Sequence, residues 1–229
     1  MAEPPIPEGL REEIARTLQP VRPLASPGRR AVRLLPIAAL VASVPFAIGL
    51  RDDASTIGAL RLWVASALQA AVAFWLLIGA LNESIPGRLP ALRRLFVLAG
   101  LGSLFMLALT GVTFRTSPTH VPPREETLYF LGCLVQPFLL GLLLLGGLGQ
   151  LLRRGIVTRP VVTGSVAGLG SGLVTDSAWR LCCQVSDPTH VLATHAVAIL
   201  ALSLTGALVG AVSGARRRRG LPGHRGRAG

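Results

Sequence analysis

Six long apolar stretches, separated by short arginine-bearing segments, constrain the fold of this chain more than any other feature. A helix that crosses about 30 Å of hydrocarbon needs roughly 20 residues. The stretches lie at about 33–50, 57–81, 92–113, 128–152, 160–179 and 191–213. They are continuously apolar and do not alternate, as the strands of a membrane barrel would. The sequence therefore predicts an all-α membrane protein, a bundle of six transmembrane helices joined by short loops.

The balance of charge and hydropathy supports this prediction. The mean hydropathy is +0.57, yet the formal net charge is +12. A soluble domain of this composition would expose large apolar patches, whereas apolar spans joined by basic loops satisfy both values. Most arginines flank the apolar stretches and few aromatic residues lie among them, so we expect no direct nucleic-acid partner. The lipid bilayer is the predicted environment.

The arginines also predict the orientation. All 23 basic residues are arginine. With a cytoplasmic N-terminus, 18 of them fall on the inner side, four on the outer side, and Arg61 lies inside the second span. Positive residues concentrate on the cytoplasmic side of membrane proteins. We therefore expect a multi-pass protein of the bacterial inner membrane with both termini cytoplasmic. Residues 1–32 form a cytoplasmic arm, 33–213 the transmembrane domain, and 214–229 a basic tail that we expect to be disordered.

This topology places all three cysteines near the outer face. Cys182 and Cys183 lie in the loop 180–190, and Cys133 lies about 8 Å into the fourth span, at 1.5 Å per helical residue. The periplasm is oxidising, so a disulfide between Cys133 and either Cys182 or Cys183 is one interpretation. Another is that each is a small buried apolar residue.

Thiols and imidazoles together would suit zinc or copper. His190, His195 and Cys183, with Asp187 nearby, are the residues that would have to supply such a site. No C-x-x-C or H-x-x-x-H spacing supports it, so we predict no bound metal and no other cofactor. Nothing resembles an oxyanion hole beside a Cys–His pair, so no catalytic residue is predicted.

Two ionisable residues are expected inside the membrane, Asp176 in the fifth span and His195 in the sixth. Such residues are functional candidates because their burial is costly. The fifth span also carries small residues at four-residue spacing, Gly164, Gly168 and Gly172, which would let a neighbouring helix approach closely.

The arm contains one short amphipathic segment. Leu10, Ile14, Leu18 and Val21 recur at helical spacing, and prolines at 7 and 20 delimit a helix of some 12 residues. A lone helix of this length is marginal in water. Its apolar stripe therefore needs a membrane surface or a partner's groove, and its mixed Glu and Arg face favours a protein partner.

Several local motifs, in this order, resemble a known family. They are LQPVRPL in the arm, GCLVQP early in the fourth span, Arg153-Arg154 followed by Pro160, a glycine-rich fifth span, a Cys in the last outer loop with a His twelve residues later, and Gly206 with Gly210. From about Leu10 to Gly210 the chain resembles the NrsF-like negative regulators of sigma factor, six-span anti-sigma factors of the bacterial inner membrane. It departs from them at Thr194, where the family often has Trp, and at Cys182, an additional thiol.

The resemblance implies an anti-sigma factor without catalytic chemistry. Its arm would dock onto a sigma factor of the extracytoplasmic-function type and release it on an envelope, redox, metal or light signal. The implied sensor residues are Cys133 and Cys183, with Cys182 and His195 beside them. A membrane thiol-redox protein and a small transporter are the alternatives. The implied sigma-contacting residues are Leu10, Arg11, Ile14, Leu18, Pro20, Val21, Pro23 and Leu24.

Overall fold

The apolar stretches form helices in the computed structural model, which describes residues 7–17, 24–85, 92–117 and 126–220. Within these residues every regular element is a helix. The elements are α1 (Glu8–Thr17), α2 (Pro27–Val32), α3 (Leu35–Ile48), α4 (Ala54–Ile57), α5 (Ala59–Asn82), α6 (Leu92–Thr116), α7 (Glu126–Leu152), α8 (Pro160–Trp179), α9 (Pro188–Val191), a π-helical turn (Leu192–Ala196) and α10 (Val197–Gly220).

Among the described residues, four helices are long and apolar enough to cross a membrane: Ala59–Asn82, Leu92–Thr116, Thr127–Leu152 and Pro188–Arg217. The last joins α9, the π turn and α10. The other two predicted spans differ from these four. A break at Arg33 and Leu34 separates α2 from α3, which leaves α3 with 14 residues and Pro45 inside it. The glycine, serine and threonine content of α8 lowers its hydropathy over 20 residues.

The distribution of side chains is the reverse of that in a soluble protein. Large apolar side chains face outward from the long helices, and Leu60, Phe96 and Leu204 are each at least 70% exposed. Charged and amide groups such as Gln69 and Asp176 are fully enclosed. An apolar exterior around a polar interior suits a bundle surrounded by lipid.

Helix α8 lies at the centre of the bundle, packed against α10, α5 and α7. Along the contact between α8 and α10 the two backbones touch, because glycines leave no side chain between them. A Cβ added at Gly164 would lie 2.0 Å from the carbonyl oxygen of Gly206, and one at Gly168 equally close to that of Leu202. We call this contact the glycine seam (Gly164, Gly168, Gly206 and Gly210). The predicted close approach at the fifth span is confirmed.

The end of the bundle where α5 meets α8 holds four polar residues, which we call the Glu83 cluster: Arg30, Glu83 and Ser84, which are buried, and Arg159, which is partly exposed. Glu83 is fully buried and accepts a hydrogen bond from Nε of Arg159 at 2.8 Å. Arg30 donates to Oγ of Ser84 at 2.8 Å and also to the carbonyl of Leu151. These bonds tie α2, the last helix of the arm, to the ends of α5 and α7.

The last helix continues past residue 213, where we expected the spans to end. It reaches Gly220, and Nη1 of Arg217 donates to the carbonyl of Gly155 at 3.0 Å. Residues 214–220 of the predicted tail are therefore helical, which differs from the expectation of disorder for that part. Basic side chains at a helix C-terminus are favoured by the helix dipole. Residues 221–229 lie outside the described part of the chain.

Candidate functional site

The loop after α8 is fastened to the loop after α3. The guanidinium of Arg51, almost fully buried, donates to both carboxylate oxygens of Asp53 at 2.5 and 2.8 Å and to Oγ of Ser186 at 2.7 Å. The backbone amide of Arg51 also donates to the carbonyl of Leu181. Partial burial raises the pKa of Asp53, but the hydrogen bonds from Arg51 outweigh it and hold that pKa below its ordinary value. The segment 181–186 is therefore held in place, although it is a loop.

Two of the three cysteines meet at this end of the bundle. Sγ of Cys133, on α7, lies 3.6 Å from Sγ of Cys183 in the loop, and both thiols are free and buried. The Sγ of Cys182 donates instead to the carbonyl of Trp179 at 3.2 Å. Burial raises the pKa of the Cys182 thiol to about 12. The pair that meets is thus Cys133 with Cys183.

Two histidines complete a cluster around this pair. One ligand atom from each of Cys133, Cys183, His190 and His195 lies within 4.8 Å of every other. His190 and His195 are five residues apart, and in a regular α-helix at 100° per residue they would point about 140° apart. The π turn at Leu192–Ala196, whose hydrogen bonds run from i to i+5, brings them together. We call these four residues the thiol–imidazole cluster.

Behind this cluster lies a buried polar network centred on Asp176. Its Oδ1 is 2.7 Å from Nδ1 of His195, and its Oδ2 accepts a hydrogen bond from Nε2 of Gln69 at 2.6 Å. Nε of Arg180 lies 3.4 Å from the same carboxylate, and Nη2 donates to Thr110 at 2.7 Å. The network fixes the His195 ring and balances the carboxylate with a guanidinium in a protein interior where an isolated charge would be costly.

A cavity reaches the cluster from the loop side. Its volume is about 490 Å³, and its wall includes Cys133, Cys183, Cys182, Tyr129 and Gln184. Small solutes therefore have a route to the two sulfur atoms.

The predicted sensor residues are distributed unevenly around the site. Cys133, Cys183 and His195 come together, His190 joins them, and Cys182 does not. Sequence reasoning overlooked Gln69, although one amide inside a long apolar span was the available signal. Arg180 is one of the four outer-side arginines of the predicted orientation, whereas its side chain is buried against Asp176.

The predicted partner-binding residues fall partly within the described chain. Leu10, Arg11 and Leu24 are exposed, and Ile14 belongs to α1. Leu18, Pro20, Val21 and Pro23 lie outside the described residues. The arm contacts therefore stay a prediction.

Comparison with known proteins decides the family. Residues 14–213 match the family model described as NrsF, negative regulator of sigma F. The chain belongs to the NrsF family. The resemblance seen in the sequence is thereby confirmed, and negative regulation of a sigma factor, with a sigma factor as partner, follows from it. The description of NrsF is that of a regulator, which indicates a non-enzymatic role. No curated protein and no solved structure matches the chain.

Proposed function

We propose that this NrsF-family chain is a membrane-bound anti-sigma factor that holds an extracytoplasmic-function type sigma factor at the bacterial inner membrane, away from RNA polymerase. The family match over residues 14–213 is the observation that carries the proposal. Four apolar helices support the membrane location. In the proposed topology α3 and α8 complete six spans, and the arginine distribution orients both termini to the cytoplasm.

The arm is the proposed docking element. Its helix α1 has ten residues, and Leu10 is 52% exposed. Fully burying a leucine side chain contributes about 1.5–3 kcal/mol, so a groove on the sigma factor that accepts Leu10 would stabilise both the helix and the complex. The acidic and basic side chains around it would then set orientation and specificity.

Release is proposed to begin at the thiol–imidazole cluster and to travel along α8. This helix starts next to Arg159 of the Glu83 cluster and carries Asp176 near its other end. The glycine seam makes α8 and α10 move together, because their backbones are already in contact. A shift of this pair would disturb the Glu83 cluster, where Arg30 anchors α2, and so would displace the base of the arm.

A co-purification experiment tests the proposal. Full-length protein in membranes, with each sigma factor of the same cell co-expressed in turn, should retain one of them. Leu10→Asp should lower the retained fraction at least tenfold, because a carboxylate cannot enter an apolar groove without a large desolvation cost. Ile156→Asp is the matched control, since Ile156 is likewise exposed, at 63%, and lies in the loop between α7 and α8, outside the arm. Retention of no sigma factor by the wild type would contradict the proposal.

The two alternatives give different results in the same preparation. A thiol-redox protein would turn over an electron acceptor, and that turnover would be lost with Cys133→Ser. A transporter would move a solute across sealed vesicles, and removal of residues 1–32 would leave that flux unchanged.

A further inference from the structure

We propose that Cys133, Cys183, His190 and His195 bind one divalent cation of the zinc class. This differs from the sequence-based expectation of no metal, which rested on the absence of any regular ligand spacing. The spacing is irregular because the ligands come from three places: α7, the loop after α8, and the helix that contains the π turn.

The sulfur atoms are already separated as a tetrahedral site requires. At a Zn–S distance of about 2.3 Å, the edge between two sulfurs of a tetrahedron is about 3.8 Å. Cys133 and Cys183 place their sulfurs 3.6 Å apart. The widest separation in the cluster is no more than 4.8 Å. Closing it around an ion of this size requires only side-chain movements.

The free nitrogen atoms point to a ligand. Nε2 of His190 and Nε2 of His195 are buried, and neither has a hydrogen-bond partner among the described residues. A buried imidazole nitrogen without a partner is costly, and a metal ion would satisfy both lone pairs at once. On the other side of its ring, Nδ1 of His195 is held by Asp176 at 2.7 Å. This carboxylate–histidine pairing fixes the tautomer that leaves Nε2 available to a metal.

Charge and softness select the class of ion. The nearby Asp176 carboxylate is already balanced by Arg180, so the ion and its own ligands must be close to neutral together. Two thiolates and a divalent ion give zero, whereas a monovalent ion such as Cu⁺ would leave a buried negative charge. Calcium and magnesium prefer oxygen ligands, which the cluster does not supply. Binding then follows Zn²⁺ + 2 RSH → Zn(SR)₂ + 2 H⁺, with the two protons leaving through the cavity.

The test uses the full-length protein in detergent or nanodiscs, without any sigma factor. We expect one Zn²⁺ per chain, release of two protons per ion, and, with Co²⁺ as the probe, the visible absorption of a tetrahedral site together with sulfur-to-metal charge transfer. Cys183→Ser and His190→Gln should abolish stoichiometric binding and that absorption. Cys182→Ser is the matched control, because it is the adjacent thiol and lies outside the cluster, and it should bind as the wild type does.

Asp176→Asn tests the positioning of His195. We expect a 10–100-fold weaker Zn²⁺ affinity, the range typical of a lost partner behind a metal ligand, with the same Co²⁺ spectrum. Circular dichroism and gel filtration of each variant establish that it is folded. Absence of bound Zn²⁺ in folded wild-type protein, an octahedral Co²⁺ spectrum, or equal loss in Cys182→Ser would overturn the inference. Because no sigma factor is present, such a failure leaves the proposed function standing, and failure of the arm to bind leaves the metal site standing.

Discussion

Oδ1 of Asp176 lies 2.7 Å from Nδ1 of His195, although 19 residues separate them in the chain. The contact joins the end of α8 to the π turn near the start of the last long helix. On its other side the carboxylate is bound by Gln69 of α5 and approached by Arg180. One buried carboxylate thus connects three helices behind the thiols, and its removal should affect more than one property.

The buried ion pair predicts a large effect on stability. Asp176→Ala should lower the free energy of unfolding by about 3–5 kcal/mol, because Arg180 would stay buried without its counter-charge. Denaturation in mixed micelles measures this. Asp52→Ala, at an exposed carboxylate, should change little. The double variant Asp176→Leu/Arg180→Leu should be more stable than Asp176→Ala, and a less stable double variant would contradict this account.

The glycine seam predicts opposite outcomes at two glycines. Gly206→Ala should destabilise the bundle by on the order of 1–3 kcal/mol, since its Cβ would lie 2.0 Å from the carbonyl oxygen of Gly164. Gly111→Ala is the matched control, because no atom beyond the adjacent helix backbone and chain neighbours lies within 4 Å of its Cβ position among the described residues. There the better helix propensity of alanine should leave stability unchanged or raise it by up to about 1 kcal/mol. Equal effects at both positions would show that the seam does not limit packing.

The Glu83 cluster predicts a regulatory phenotype. Glu83→Gln keeps the shape of the side chain and removes the charge that pairs with Arg159. We expect this change to weaken the Glu83 cluster, in which Arg30 anchors α2 at the base of the arm. We expect higher expression from a promoter dependent on the bound sigma factor in unstressed cells, with membrane levels of the protein checked by immunoblot. Arg153→Gln, which changes an exposed charge nearby, should keep the promoter silent. If the Glu83→Gln protein is present at normal levels and the promoter stays silent, the Glu83 cluster takes no part in the release of the sigma factor.

The contact of Arg51 with Asp53 and Ser186 joins the loops after α3 and α8, and it predicts that the stability of the protein depends on pH. The pKa of Asp53 is lower in the folded protein than its ordinary 3.8, so its contribution to stability is present above that value and is lost as the pH falls through the folded pKa. The melting temperature of the wild type should therefore exceed that of Asp53→Asn most at neutral pH. The difference between the two melting temperatures should become smaller as the pH falls below 3.8. A difference that stays constant down to strong acid would mean that the Arg51 contact is not ionic.

The orientation predicts the behaviour of reporter fusions. Alkaline phosphatase joined after residue 55, 117 or 186 should be active, because the proposed topology places these positions in the periplasm. Fusions after residue 85, 156 or 229 should be inactive. Activity at 85 or 156 would reverse the assignment of sides, and with it the exposure of the thiols to the periplasm.

Much of the fold follows from the apolar runs. The spans predicted at 57–81 and 160–179 differ by no more than two residues from Ala59–Asn82 and Pro160–Trp179, because glycine, proline and charged residues bound them. The first span was less predictable. Helix α3 begins at Leu35 with Pro36 in its first turn, so its start has a local signal, and Pro45 lies inside it. The bonds of Arg30 to Ser84 and to the carbonyl of Leu151 hold α2 in front of the break. They join residues 54 or more positions apart and have no local signal.

The site was predictable only in part. The predicted topology placed Cys133, Cys182 and Cys183 near the same membrane face. The positions of the spans alone did not indicate whether Cys133 would meet Cys183 or Cys182. His190 has no regular ligand spacing, because five residues separate it from His195 where an H-x-x-x-H motif has four. Its place in the cluster depends on the π turn, and a π turn has no reliable sequence signature.

The glycine seam also affects how a displacement at the thiol–imidazole cluster can be transmitted to the Glu83 cluster. Helix α8 is in direct backbone contact with α10 and is bonded through Arg159 at one end and through Asp176 at the other. In the proposed mechanism, a displacement at the sulfurs is passed along these two helices together to the Glu83 cluster. In the proposed mechanism, the release of the sigma factor therefore depends on a displacement of Arg30 and α2 at the Glu83 cluster.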